Sequence, residues 1–281
     1  WLEELGVMDF AGGTVVHVSS GTSGLVAALI LGPRQHKKTS EAKPNSVPFV
    51  LLGASLLWFG WSGFNGGSAL AADGVASRAI ATTYLAASSS MITWVSVEAV
   101  RMRQPSSVGA MVGAVAGLVM ITPAAGFVTP VGAVCMGALG VPICYTAVVA
   151  LNKWDRLDDT LDAFGLHGVG GLAGAILTGV FAEDGGLLYG GGFKQLGLQT
   201  LGAFTGLVYS AVVTAVLFGV LKCVMRVRVH QHQEHGGLDK HVHGEEAYGW
   251  RQSTGVPLGF DLDEVNASES DGASEDGAAS D

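Results

Sequence analysis

Seven stretches of mostly apolar residues, each about 20 residues or longer, constrain this chain more than any other feature of its sequence. A helix needs roughly 20 such residues to cross a hydrocarbon core of about 30 Å. The sequence therefore predicts an all-α fold, a polytopic membrane helix bundle of about seven spans. The predicted spans are residues 9–32, 47–71, 77–100, 107–126, 127–150, 162–182 and 196–226.

The composition also indicates a membrane protein. Of the 281 residues, 49% are hydrophobic and only 14% are charged, whereas about a quarter are charged in a typical soluble domain. The 42 glycines lie largely inside the apolar runs, where small residues let helix backbones approach closely. In the fourth span, Gly109, Gly113 and Gly117 share one helical face, which predicts tight packing against a neighbouring helix.

A change in composition after residue 228 separates a transmembrane region, 1–228, from a tail, 229–281. The tail holds 12 acidic residues against Lys240 and Arg251, whereas the transmembrane region is close to neutral. No basic patch indicates nucleic-acid binding. Residues from about 262 onward have too few apolar side chains to bury, so we expect them to be disordered.

The distribution of lysine and arginine predicts the orientation. Eleven of these residues follow the first, third, fifth and seventh spans, against Arg78 and Lys194 on the opposite side. The positive-inside rule then places the N-terminus outside and the C-terminus in the cytoplasm. We expect an integral membrane protein, in the plasma membrane. Because the chain opens on Trp1, we also expect a start missing from its N-terminal side.

Two histidines lie inside otherwise apolar spans. His17 is in DFAGGTVVHVSSG of the first span, and His167 is in DAFGLHGVGG of the sixth. Ionisable side chains are costly in a membrane and are therefore candidates for function. The alternative is a core histidine bonded to a backbone carbonyl. Two histidines at comparable depth in glycine-lined segments favour the functional interpretation.

An aspartate precedes each histidine, Asp9 by eight residues and Asp162 by five. We interpret both as helix caps, because a carboxylate there accepts free backbone N–H groups; direct cation binding is the alternative. The two spans run in opposite directions, so each aspartate marks a different membrane face. A rise of 1.5 Å per residue leaves an axial gap of about 10 Å between the histidines, which leaves contact between them open.

A second polar feature lies at the outer end of the second span, in LLWFGWSGFNGGSAL. Trp61, Phe64 and Ser68 have the spacing of one helical face. Aromatic faces attract small cations, and a hydroxyl oxygen accepts hydrogen bonds from them. The alternative is an aromatic belt that anchors the helix at the membrane interface.

Other residues give no sign of catalysis, so we predict that the protein is not an enzyme and needs no cofactor or metal. Cys135, Cys144 and Cys223 have no metal or redox spacing. A membrane metalloenzyme built on the two histidines lacks a third ligand at helical spacing. We interpret the tail histidines as solvated surface residues, with adventitious metal binding as the alternative. These are His230, His232, His235, His241 and His243.

Four segments together resemble the ammonium transporter (Amt/MEP) family, and in the order found in that family. They are DFAGGTVVH, WFGWSGFNGGSAL, ITPAAGFV and DDTLDAFGLHGVGGLAGAILTG. In the tail, GLDKHVHGEEAY is similar to the family's cytoplasmic C-terminal segment, a candidate contact for a cytoplasmic regulator. The first two motifs resemble the Amt/MEP branch more than the related Rhesus proteins.

The resemblance implies an eleven-span inverted-repeat fold, assembled as a homotrimer with one pore in each protomer. In that register this chain holds the fifth to the eleventh spans. His17 and His167 match the twin pore histidines. Phe64 matches one of two gate phenylalanines, and Ser68 matches the serine of the outer ammonium site, with Trp61 beside it. Asp9 matches the aspartate beneath that site.

The function implied is ammonium transport. Moving an ammonium-sized ion into a medium of dielectric about 4 costs on the order of 20 kcal/mol. We therefore expect ammonium to bind outside, lose its proton and cross as ammonia past the two imidazoles; methylammonium is a further candidate substrate. The alternative is an ammonium sensor with the same fold, but only about 50 residues follow the seventh span.

Overall fold

The computed structural model describes residues 1–34 and 44–245, and seven long helices account for most of them. No strand occurs in these residues, although an isolated antiparallel bridge joins Val128 and Ala182. The chain divides after Met225 into two compact units. The helices of the first unit are α1 (Ser19–Leu31), α2 (Val47–Gly67), α3 (Gly74–Met102), α4 (Ser107–Ile121), α5 (Pro130–Asn152), α6 (Val169–Phe181) and α7 (Phe193–Val224).

Two of these helices begin with a π-helical turn. Gly13–Val18 leads into α1, and Phe164–Gly168 leads into α6. Such turns are rare and occur often at functional sites. Each carries one of the two span histidines in its last residues. The candidate site is therefore built where the helical geometry is irregular.

Five helical segments of the first unit are long and apolar enough to cross a membrane. Of the other two, α4 is apolar but has only 15 residues, and α3 has 29 residues but is more polar. Each of the seven predicted spans overlaps one of α1 to α7. The chain is thus an all-α, polytopic membrane helix bundle. The five segments are Gly13–Leu31, Val47–Gly67, Pro130–Asn152, Phe164–Phe181 and Phe193–Val224.

The polar side chains of α3 are used inside the bundle. The Thr82 hydroxyl donates to the carbonyl of Ala125 at 2.8 Å, and the Ser90 hydroxyl donates to that of Gly113 at 2.6 Å. Both hydroxyls are buried. Because buried hydroxyls with partners are far less costly than unpaired ones, a serine- and threonine-rich helix is stable here.

The glycine stripe of α4 packs against α3, which confirms the tight packing predicted from its spacing. A Cβ atom on Gly113 would collide with the side chain of Trp94, and one on Gly117 would collide with Ser90 and the α3 backbone. Side chains at these positions would push the two helices apart. The stripe therefore allows α3 and α4 to approach each other closely.

Sequence reasoning missed Glu98, a carboxylate near the end of α3 that is only 7% exposed. It accepts hydrogen bonds from the Trp94 indole at 3.1 Å and from the Ser106 backbone N–H at 2.8 Å. Ser106 is the N-cap of α4. Glu98 thus stabilises the connection between α3 and α4, and a buried charge of this kind is tolerated because its oxygens have donors.

A set of turns across ITPAAGFV connects α4 to α5. The predicted boundary between the two spans was 126/127, but α4 already ends at Ile121 and α5 begins only at Pro130. The carbonyls of this connection are not all bonded locally. The N–H of Phe10 donates to the carbonyl of Pro123 at 3.0 Å, and that of Ala11 to Thr122 at 3.2 Å. The DFAGG segment is therefore held against this turn.

The second unit, beginning at Arg226, is described as far as residue 245. It contains a short helix, α8 (Gln231–Gly236), and a π-helical turn, Asp239–His243. An Arg228–Glu234 ion pair of 2.9 Å joins its segments. The end predicted to be disordered lies outside the described residues.

Candidate functional site: a buried histidine pair

Asp9 caps the π-helical turn that carries His17. One carboxylate oxygen accepts the N–H of Gly13 at 2.5 Å, and the other accepts those of Thr14 at 3.0 Å and Val15 at 3.3 Å. Gly12 has φ +99°, which glycine adopts without steric cost and which turns the chain back over the carboxylate. Both oxygens of Asp9 are therefore engaged in holding the turn.

The second capping aspartate is Asp159, and the prediction of Asp162 as the cap is wrong. The carboxylate of Asp159 accepts the N–H of Ala163 at 3.0 Å and of Phe164 at 2.8 Å. Asp162 has φ +53°, and its carboxylate accepts a hydrogen bond from the Asn152 amide at 2.9 Å instead. The two true caps, Asp9 and Asp159, each precede a histidine by eight residues, a repeated spacing that could have identified them.

The structure brings the two histidines into contact. The Nδ1 atoms of His17 and His167 are 3.1 Å apart, and their ring centroids are 5.2 Å apart. The axial gap of about 10 Å that a regular rise would leave is absent. Two facing Nδ1 atoms form a hydrogen bond only when one carries the hydrogen and the other offers its lone pair. The tautomer of one histidine therefore determines the tautomer of the other.

Glycines one turn beyond each histidine permit this contact. A Cβ atom on Gly21 would collide with the backbone of Gly168, and one on Gly171 would lie against His17 and the backbone of Val18. Each glycine follows its histidine by four residues. The first turn of α1 can thus lie against the π-helical turn before α6, and the first turn of α6 against the π-helical turn before α1.

An aromatic wall from α2 covers the other side of His17. The imidazole stacks on the Trp61 ring, with centroids 5.3 Å apart and planes 12° apart, and the Phe64 ring centroid is 6.0 Å away. The Trp61 indole N–H donates to the Thr122 hydroxyl at 2.9 Å. Trp61 is therefore fixed by the α4–α5 turn, and it fixes the plane of His17 in turn.

A groove of about 420 Å³ lies beside this wall. Apart from His17 its lining is aromatic, aliphatic or glycine, and the Nε2 atom of His17 is buried without a hydrogen-bond partner among the described residues. A buried polar atom beside an apolar groove is available to a small polar molecule. The lining residues are Val16, His17, Gly53, Leu56, Leu57, Gly60, Trp61 and Phe64.

Of the three residues from the second predicted span that were assigned to the outer site and gate, Trp61 and Phe64 line the groove and Ser68 lies one turn beyond Phe64. The Ser68 hydroxyl donates to the carbonyl of Phe64 at 2.8 Å, which leaves the lone pairs of its oxygen free to accept. Phe64 is 37% exposed, whereas Trp61 is 8% exposed.

Metal-ligating side chains do not cluster in the described residues: no group of three or more from His, Cys, Asp and Glu has suitable geometry. In the tail, the rings of His230 and His232 are 5.5 Å apart, and those of His232 and His241 are 6.2 Å apart. The Arg226 guanidinium contacts His230 at 2.8 Å. A cation at that position disfavours metal binding.

Comparisons with known proteins identify the family of this chain. Residues 1–248 match the model of the Ammonium Transporter Family. The chain is 48% identical over 248 residues to the ammonium transporter of Aquifex aeolicus, covering 86% of this chain and 57% of that protein. It is 43% identical over 255 residues to the ammonium transporter of Bacillus subtilis, covering 88% of this chain and 62% of that protein.

Solved structures show the same relationship. The crystal structure of Candida albicans Mep2 matches with a TM-score of 0.77 and 37% identity, over 83% of this chain and 55% of that one. A protein described as a sensor Amt protein matches with a TM-score of 0.79 and 35% identity, over 86% and 62%. The chain thus spans about three fifths of the length of the relatives it matches. From its motifs, its fold and these matches, the chain belongs to the ammonium transporter family.

Proposed function

We propose that the protein containing this chain transports ammonium across a membrane, and that His17 and His167 guide the substrate through the pore. The observation that carries the proposal is the 3.1 Å contact between the two buried imidazoles beside an apolar groove. Relatives named as ammonium transporters support it, since they share more than 40% identity with this chain.

The charge of ammonium decides the mechanism. The cation would lose hydration worth on the order of 20 kcal/mol in a medium of dielectric about 4, and the groove beside His17 offers no carboxylate in compensation. Neutral ammonia has no such penalty. We propose that ammonium gives up its proton at the outer face and that ammonia then crosses the apolar segment.

The coupled imidazoles suit this task because each ring can both donate and accept. In the neutral pair, one Nδ1 donates to the other, so the acceptor ring carries its hydrogen on Nε2. Ammonia can then donate to a free imidazole nitrogen or accept from an N–H. A proton can move along the same pair by exchange of tautomers. Ammonia and the proton would thus follow parallel routes.

At the outer face we propose that Phe64 gates entry, with Trp61 and Ser68 forming part of the ammonium site. Aromatic faces attract the cation and the Ser68 oxygen accepts its hydrogen bonds. Asp9 would act indirectly. Since both of its oxygens hold the π-helical turn, its contribution is to orient that turn and to place negative charge beneath the site.

Orientation and assembly belong to the same proposal. The lysines and arginines of the loops favour an outside N-terminus and a cytoplasmic C-terminus, in the plasma membrane. We propose a homotrimer, with the tail segment GLDKHVHGEEAY as the contact for a cytoplasmic regulator. Cross-linking in native membranes tests the trimer, and protease access to the tail in right-side-out vesicles tests the orientation.

The central test measures methylammonium uptake by the full-length protein in yeast that lacks its own ammonium uptake. His17→Ala removes the ring that contacts His167, stacks on Trp61 and lines the groove, so uptake per folded protein should fall or change its selectivity. Thr205→Val is the matched control, because Thr205 bonds only to the Leu201 carbonyl of its own helix. Wild-type rate and selectivity in His17→Ala would refute a pore role for the pair.

The similarity to a sensor Amt protein supports a second candidate function. In that case the protein would be a sensor that binds ammonium with little flux. Proteoliposomes separate the two functions. A transporter accumulates methylammonium along its gradient, whereas a sensor binds it without accumulation.

A further inference from the structure

We infer that Gln199 of α7 is a positioning residue for the segment from Asp9 to His17, an inference that rests on the proposed function. Gln199 is completely buried, although most of the apolar side chains of α7 are exposed at the surface of the chain. A buried carboxamide in a membrane helix is costly unless each of its polar atoms is bonded. Its partners therefore indicate its role.

The Gln199 carboxamide forms hydrogen bonds with both backbone polar groups of Met8. Its Oε1 atom accepts the backbone N–H of Met8 at 2.7 Å, and its Nε2 atom donates to the carbonyl of the same residue at 2.6 Å. The second hydrogen on Nε2 goes to the carbonyl of Ala175 in α6 at 3.1 Å. Every donor of the side chain is used, so the position of Met8 is fixed relative to both α6 and α7.

Met8 immediately precedes Asp9, the cap of the turn that carries His17. A shift of Met8 would move the Asp9 carboxylate away from the N–H groups of Gly13 and Thr14. It would then loosen the turn on which His17 lies. The bond to Ala175 ties the same carboxamide to the helix that follows His167. Gln199 is thus placed to hold the two histidine segments in register.

The face of α7 that carries Gln199 is shaped to receive this segment. A Cβ atom on Gly202 would collide with Val7, and one on Gly206 would collide with Thr14. Positions 199, 202 and 206 share one helical face. The chain before His17 therefore lies along α7, with Gln199 as its polar anchor.

The other half of the site has a comparable arrangement. Asp158 immediately precedes the cap Asp159, and its carboxylate accepts two hydrogen bonds from the Arg34 guanidinium, at 2.7 and 3.0 Å. In both halves, the residue before the capping aspartate is bonded to a side chain from a distant part of the sequence. That recurrence supports a role in placing the caps.

The test compares Gln199→Met with wild type, because methionine matches the length of glutamine without its polar atoms. Hydrogen–deuterium exchange of the full-length protein in detergent follows two turns: Gly13–Val18, whose cap depends on Gln199, and Phe164–Gly168, whose cap does not. We expect faster exchange in the first turn alone. Uptake of methylammonium at equal amounts of folded protein should fall by about tenfold or more, within the roughly 100-fold that a misplacement of about 1 Å can cost a reaction.

Thr200→Val is the control, since Thr200 neighbours Gln199 but bonds only to the Leu196 carbonyl of its own helix. It should change neither turn. Equal acceleration of both turns in Gln199→Met would show a general structural role, and unchanged exchange would show no role; either result overturns the inference. If wild type takes up no methylammonium, the proposed function fails, while the exchange of the two turns still decides whether Gln199 positions the segment.

Discussion

Replacing Asp159 by alanine should destabilise the protein and displace His167. The change removes two charge-assisted hydrogen bonds, to the N–H groups of Ala163 and Phe164. Loss of an aspartate cap costs about 0.5–2 kcal/mol, and we expect the upper part of this range because both N–H groups are partly buried. At about 2–4 °C for each kcal/mol, the apparent melting temperature should fall by about 4–8 °C.

Asp159→Ala should also lower transport, because the turn that Asp159 caps carries His167. Thermal unfolding in detergent measures the stability, and methylammonium uptake at equal amounts of folded protein measures the placement of the histidine. Asp162→Asn is the matched control, because asparagine adopts the φ of +53° at this position more readily than alanine does. It removes the charge from one exposed bond to Asn152 and should lower the melting temperature by no more than about 2 °C. Equal effects of the two substitutions, or a larger effect of Asp162→Asn, would refute the assignment of Asp159 as the cap.

Two further substitutions test the packing around the site, both measured by thermal unfolding in detergent. Gly21→Ala should lower the free energy of unfolding by about 1–3 kcal/mol, because its Cβ meets the backbone of Gly168. Gly24→Ala is its control and should be neutral, because its Cβ meets only a methyl group at 3.7 Å. A neutral Gly21→Ala would show that the helices can separate freely. Glu98→Ala should cost about 2–4 kcal/mol, because it leaves the Trp94 indole and the Ser106 N–H without their acceptor. Ser96→Ala, which loses only a bond to its own helix, is its control, and similar melting temperatures for the two would contradict a bonding role for Glu98.

The helices could be predicted from the sequence because long apolar runs have few alternatives in a membrane. Their ends were less predictable where an apolar run does not end with the helix. The fourth predicted span reaches residue 126, whereas α4 ends at Ile121. ITPAAGFV is apolar and still forms turns, and the N–H groups of Phe10 and Ala11 donate to two of its carbonyls. Hydropathy does not distinguish such a turn from a helix.

Contacts between residues far apart in the chain could not be predicted from the sequence. Gln199 and Met8 are 191 residues apart, and the bonds run to backbone atoms that every residue carries. Nothing in the sequence of α7 marks this glutamine apart from Gln195, four residues earlier. Glu98 was missed for a different reason. Its donors lie only four and eight residues away, but its acceptor role depends on where the next helix begins.

The histidine pair was predictable as a pair of residues but not as a contact, and the reason lies in the turns. A depth counted at 1.5 Å per residue assumes a regular helix that starts at the nearest aspartate. Both histidines lie instead in π-helical turns capped eight residues earlier, with a glycine four residues later. The same pattern, Asp, eight residues to His and four more to Gly, occurs in two segments whose spans run in opposite directions. The backbone of each segment packs against the glycine of the other. The 3.1 Å contact between the histidines therefore depends on the glycines and the caps as much as on the histidines themselves.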